Sequence, residues 1–273
     1  MTDKKRNIPV DSAVLLLLFL ELACSLATRF VGGVAGTCLH YASYLIPILL
    51  FIFFFARPQE LSLRPTAEGF FRVLPLLPIF LASVLLLSTA TAYLMTLFGL
   101  PTIGGSIGEG AFPMLFLRHS LLPAVLEEGL MRLCVLSLLA RRSPARAVPQ
   151  SALLFALLHA SLYQLPYAFV GGIFLALAAL LGGSVLYAFL FHLLNNLLSL
   201  LMQSLPYWIG ETAGLYGNLF ISLVLFLLAA WGILVLLRRR GQAAPPDVRG
   251  WLKELLCSPL LIYVMLMLLY ICF

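Results

Sequence analysis

Charge is scarce in this sequence. Lys, Arg, Asp and Glu together make up 10% of the 273 residues, whereas 62% are hydrophobic. A soluble domain carries about 25% charged and about 45–50% apolar residues, so a water-soluble globule is excluded: it has too little interior to hide so much apolar surface. Polar stretches long enough for a separate soluble domain are also missing, and residues 1–273 read as a single membrane domain. The apolar/polar alternation of a transmembrane barrel is absent as well, since Ile221 to Leu237 is apolar apart from Ser222. The five cysteines, Cys24, Cys38, Cys134, Cys257 and Cys272, have no paired spacing, which argues against a disulfide framework or a thiolate metal site. No internal repeat or low-complexity tract occurs.

What is present is a series of long apolar runs. A spanning helix needs about 20 mainly apolar residues to cross a hydrocarbon core of about 30 Å. The fold class read from this is all-α, a polytopic transmembrane helical bundle of eight to nine spans. Nine candidates fall at 10–28, 39–56, 70–98, 112–140, 147–162, 167–181, 184–204, 215–237 and 255–273. The third and fourth exceed a minimal span, so tilt or a kink at Pro75, Pro78 or Pro123 is expected. Lys4, Lys5 and Arg6 precede the first span, which by the positive-inside rule places the amino terminus in the cytoplasm. Loops that should share that side are basic: Arg57, Arg64 and Arg72; Arg141, Arg142 and Arg146; Arg238, Arg239, Arg240, Arg249 and Lys253. The opposite loops, 99–111 and 205–214, contain no Lys or Arg. The net charge of +6 is therefore a topology signal, and nucleic acid is not an expected partner. Glu21 in place of an aliphatic residue spoils the lipoprotein-like Leu22-Ala23-Cys24, so the first run is read as an uncleaved span. Residues 241–250, with Pro245 and Pro246, read as a flexible connector.

Ionisable side chains inside spans cost at least about 2.5–3.5 kcal/mol at mid-depth and mark functional sites. Three groups stand out: Glu127, Glu128 and Arg132 in the fourth span, His159 in the fifth, and His192 with Asn195 and Asn196 in the seventh. Counted from the basic ends of their spans, Glu127, His159 and His192 lie at depths of roughly 21, 18 and 12 Å, with Asn196 at roughly 18 Å. A Glu, two His and an Asn converging in a water-poor pocket are suited to activating a water and stabilising an oxyanion. Glu128 and Arg132, four residues apart on one helix face, suit an ion pair, whereas Glu127 points elsewhere. Taken singly, a buried His or Asn is as readily a packing residue, and a neutralised Glu–Arg pair needs no other purpose. Arg118, His119 and His40 lie near span ends, where interfacial solvation explains them.

Glu127-Glu128-Gly129-Leu130-Met131-Arg132 fits EExxxR, Phe155 to His159 fits FxxxH, and His192 to Asn196 fits HxxxN, in that order. These motifs resemble those of the CAAX protease and bacteriocin-processing (Abi) family of intramembrane endopeptidases, type II CAAX prenyl endopeptidase-like. The resemblance covers a core at about 123–204. It implies an endopeptidase cutting a peptide bond of a membrane-associated protein or peptide, with membrane lipids and a peptide or lipidated protein as partners. By this resemblance Glu127 is the general base, His159 assists it, His192 and Asn196 form the oxyanion hole, and Glu128 with Arg132 gives structural support. The family's mechanism has been described both as glutamate-dependent and as zinc-dependent; in the second case Glu127, His159 and His192 would be the zinc ligands.

Short loops with basic punctuation point to a bacterial membrane protein. Two other readings stand beside the protease: a secondary transporter or permease, which predicts related halves with broken helices, and a catalytically silent immunity or scaffold protein. The depth count and the Arg-rich loops lead to the expectation that the site opens toward the cytoplasm.

Overall fold

A computed structural model describes residues 9–56, 62–100, 111–239 and 248–272. Lys4, Lys5, Arg6, Arg57, Arg240, Pro245 and Pro246 lie outside them, as do most of the loop 99–111 and of the connector 241–250. The chain is helical: α1 (Val10–Ala27), α2 (Gly33–Phe54), α3 (Ala67–Val73), α4 (Leu76–Leu97), α5 (112–140), α6 (Pro144–Leu158), α7 (Leu165–Gly182), α8 (Val185–Ile209), α9 (Glu211–Arg238), α10 (Val248–Leu256) and α11 (Leu260–Cys272). Among the described residues the β contact is one isolated bridge, Ser62 to Ser184.

Among the described residues six helices are each long and apolar enough to cross a membrane, or seven if the bent pair Gly250–Leu256 and Leu260–Ile271 is one span. The bend between these two is 82° and falls at Pro259, which cannot continue the first helix. The expected third span breaks at Leu74 and Pro75, between α3 and α4. The run at 112–140 is continuously helical but charged, and it contains π turns at Leu117–Leu121 and Gly129–Leu136. The first precedes Pro123, whose ring displaces the regular hydrogen-bond ladder. The fifth expected span is shorter than its apolar run: α6 ends at Leu158, because Ala160 takes a left-handed φ of 48° and terminates the helix behind His159.

Basic residues collect at one end of the bundle, where they close helix termini. Arg141 Nη2 donates to Phe55 O at the end of α2 (2.6 Å), and Arg72 Nη1 to Leu181 O at the end of α7 (3.3 Å). Arg239 reaches the Phe71 and Arg72 carbonyls. Arg142 pairs with Asp11 at the start of α1 (2.7 Å), and Arg146 with Glu254 of α10 (3.2 Å). Cationic groups at carbonyl ends of helices satisfy otherwise orphaned acceptors. The expectation that the basic loops share one face thus holds for the described residues.

The core lies between α5, α6 and α7. Leu130, Met131, Val135, Leu136, Leu154 and Ala176 are fully buried. Gly172 lets α7 approach α6 closely, since a Cβ there would stand 2.9 Å from Ala152 Cα. The outer helix α9 is apolar yet exposed at Leu219, Phe220, Leu223 and Leu227, as a lipid-facing surface should be.

Candidate active site

Two of the three motifs sit where the local structure changes. Glu127 and Glu128 end the α-helical stretch Leu122–Glu128, and the π turn Gly129–Leu136 follows immediately; such turns recur at functional sites. His159 caps the carboxyl end of α6, where its Nδ1 bonds the Phe155 carbonyl (2.9 Å). The FxxxH spacing is thus a side-chain-to-backbone bond that orients the imidazole. His192 and Asn196 project from the same face of α8.

The structure brings the three motifs together. Glu128 is the hub: its Oε2 lies 3.1 Å from Arg132 Nε, and its Oε1 lies 2.9 Å from His192 Nδ1. Arg132, fully buried, also reaches Gly172 O (3.5 Å) and places its guanidinium over the Phe155 ring, 4.7 Å from the centroid. Phe155 meets both imidazoles edge-on, at 4.8 Å from His159 and 5.8 Å from His192. One phenyl ring therefore spaces the guanidinium and both histidines.

Glu127 is separate from this network. Its Oε2 is buried without a hydrogen-bond partner and lies 3.7 Å from His159 Nε2 and 3.9 Å from His192 Nε2. With both Nδ1 atoms bonded to acceptors, each Nε2 presents a lone pair when its ring is neutral. A carboxylate oxygen and two nitrogens thus face one point, and a water there lies within reach of all three. The two carboxylates outnumber the guanidinium by one charge, so one added proton balances the cluster.

Zinc at Glu127, His159 and His192 is one of the two mechanisms that the resemblance leaves open. Orientation suits it, because each imidazole is held through Nδ1 by an oxygen acceptor. Bonds of about 2.0–2.2 Å in tetrahedral geometry put ligand atoms about 3.4 Å apart, so the 3.7 and 3.9 Å separations would have to close by a few tenths of an ångström around an ion. Among the described residues no group of three His, Cys, Asp or Glu side chains is arranged to hold a metal ion.

Asn196 lines the same cavity and accepts a hydrogen bond from Asn195 Nδ2 at its Oδ1 (3.4 Å). This cavity, of about 570 Å³, also takes in Phe80, Tyr163, Tyr167 and Gln203 beside Glu127, His159 and His192. A second cavity of about 480 Å³ meets it at His119, Pro123 and Glu127 and is lined by Thr37, His40, Tyr44 and Arg118. Glu127 stands in the wall between them. On α8 the lining runs from His192 outward to Gln203, away from the helix start at Ser184; on α6 it takes in Phe155 and His159, on α7 it runs from Tyr167 to Leu175, and on α4 from Phe80 to Ser88. Along α5, Met131, Val135 and Leu138 are buried between Glu127 and the Arg-rich loops beside which the site was expected to open.

Sequence reading assigned His119 to interfacial solvation, and it did not single out Tyr163 or Tyr167, whose placement depends on the turn after His159. Glu21 was also missed as an intramembrane carboxyl. It is 4% exposed, near Tyr44, Tyr263 and Glu127. Its depth, 11 residues into α1 or about 17 Å, was the available signal.

Residues 109–198 match the family model described as Type II CAAX prenyl endopeptidase Rce1-like. The matched segment carries all three motifs and is 90 of the 273 residues. The family is the one the motifs resemble. Comparison with curated proteins and with solved structures gave no match.

Proposed function

We propose that the protein is an intramembrane endopeptidase that hydrolyses a peptide bond of a membrane-associated substrate with a water activated by Glu127. The observation that carries this reading is the buried, unpartnered Glu127 Oε2 facing His159 Nε2 and His192 Nε2 across 3.7 and 3.9 Å, in the wall of an open cavity. Glu127 takes a proton from the water, and the hydroxide attacks the carbonyl carbon. His159, oriented by the Phe155 carbonyl, positions that water. The oxyanion accepts hydrogen bonds from Asn196 Nδ2 and from His192 Nε2 when that ring carries the balancing proton. Glu127 then returns its proton to the leaving amine. Glu128 and Arg132 act at one remove, by fixing the His192 ring.

Residues 123–204 form the catalytic core in this reading, with the Arg-rich end and the amino terminus in the cytoplasm. Zinc at Glu127, His159 and His192 is the rival occupant of the water's place, and no step here passes through it. A transporter needs access from both faces, whereas both cavities lie toward the same end. A silent scaffold has no use for a buried carboxylate kept free of partners at a cavity wall. The test is incubation of purified, detergent-solubilised protein with a quenched fluorescent peptide library, products being read by mass spectrometry. Discrete internal cleavage is expected; an uncut library in the presence of folded protein contradicts the proposal.

A further inference from the structure

Both cavities at Glu127 have walls that extend to the end of the bundle opposite the Arg-rich face. The helices that carry the site all have their other ends at the Arg-rich face: α8 begins there at Ser184, α7 finishes there beside Arg72, and α5 finishes there at Arg141. Measured from Ser184, His192 is 8 residues in and Gln203 is 19, so the α8 wall of the cavity runs from about 12 to about 29 Å away from the basic face. The neighbouring cavity is lined by Thr28 at the end of α1 and Thr37 and His40 early in α2, which are also at the far end. Along α5, between the catalytic carboxylate and the basic face, Leu130, Met131, Val135, Leu136 and Leu138 are fully buried.

Basic loops mark the cytoplasmic side of a membrane protein. Taking the protease reading as given, we infer that the substrate is a peptide segment presented on the extracytoplasmic side, which reaches Glu127 through the two cavities that meet there. The scissile bond lies at the shared wall, and the residues on either side of it occupy one chamber each. Both chambers have mixed linings: the larger combines Phe80, Val84 and Leu175 with Gln164, Asn195 and Gln203, whereas Arg118 and His40 line only the smaller one. A substrate suited to both carries a polar or acidic residue on the side of the cut that enters the smaller chamber.

The test is sidedness, read on the protein itself. In a background with all five cysteines replaced, single cysteines are placed by Gln203→Cys, Thr37→Cys and, at the exposed basic end, Glu68→Cys. A membrane-impermeant maleimide should label the Gln203 and Thr37 variants in intact cells and the Glu68 variant only after permeabilisation. Labelling of all three from one side, the reverse pattern, or no labelling at Gln203 and Thr37 after permeabilisation overturns the inference. In a second arm, a bulky maleimide on the purified Gln203→Cys variant should lower cleavage of a quenched peptide at least tenfold, while the same adduct on Glu68→Cys leaves it unchanged. Equal cleavage by both adducts overturns the chamber as the path. Absence of cleavage from every unlabelled variant defeats the protease reading alone, because the cellular labelling pattern needs no activity.

Discussion

His192 Nδ1 lies 2.9 Å from Glu128 Oε1, so the imidazole of α8 is held by the same carboxylate that pairs with Arg132 within α5. The second Glu of EExxxR is therefore the link between two motifs and not only the partner of its own arginine. Its removal has to disturb both packing and the orientation of His192.

Truncating the arginine tests the packing half. Arg132→Ala leaves Glu128 buried against a single partner and takes the guanidinium off Phe155, so a loss of about 3–5 kcal/mol is expected for a broken buried pair. The measurement is thermal unfolding in detergent, with folded yield alongside. Removing both charges at once, in Glu128→Gln with Arg132→Met, should recover part of that loss, because no unpaired charge stays behind. A fully stable Arg132→Ala contradicts the structural role.

Asn196→Ala should lower kcat by about 10²–10³, the usual effect of deleting one oxyanion donor, with KM changed far less. Asn195→Ala removes only the bond that holds the Asn196 oxygen and should act more weakly. Equal losses in the two variants would move the oxyanion role away from Asn196.

Close helix approach makes its own prediction. Gly172→Val forces side-chain atoms into Ala152 across the α6–α7 contact and should cost about 1–3 kcal/mol as an overpacked site. The Gly172 carbonyl also receives Arg132, so the midpoint of thermal unfolding should fall together with activity. Gly183→Ala, at a position with open space but a φ of 71°, should cost less, through backbone strain alone.

Metal dependence separates the two ways of holding the water. With the water held by Glu127 and the two imidazoles alone, protein treated with a strong chelator should keep its activity, with zinc well below one equivalent by elemental analysis. Activity lost to the chelator and restored by added zinc would instead put the ion at Glu127, His159 and His192.

Much of the site was legible because intramembrane polar residues are few and helical periodicity relates those on one helix. The pairing of Glu128 with Arg132, the independence of Glu127 and the ring wall at Phe155 all follow from spacing. The bond between Glu128 and His192 does not, since it joins residues 64 positions apart and depends on how α5 and α8 pack. The direction of the opening is not legible for a related reason: the burial of Met131, Val135 and Leu138 is a property of the assembled bundle, and the depth of His159 counted from Ala147 falls short because α6 starts three residues earlier, at Pro144. Span boundaries suffered where hydropathy ran past a conformational stop. The apolar run through Leu162 hides the left-handed Ala160, which ends α6 and leaves His159 at the cavity.

The most direct measurement is the rate of peptide cleavage by purified wild-type protein against Glu127→Gln, each verified as folded by its thermal unfolding midpoint. Glu127 Oε2 has no hydrogen-bond partner, and the amide is of the same size, so the two midpoints should agree within a few degrees. Cleavage should fall to background in the variant while stability stays. Cleavage by Glu127→Gln at the wild-type rate would contradict the assignment of Glu127 as the base and, with it, the account of the site.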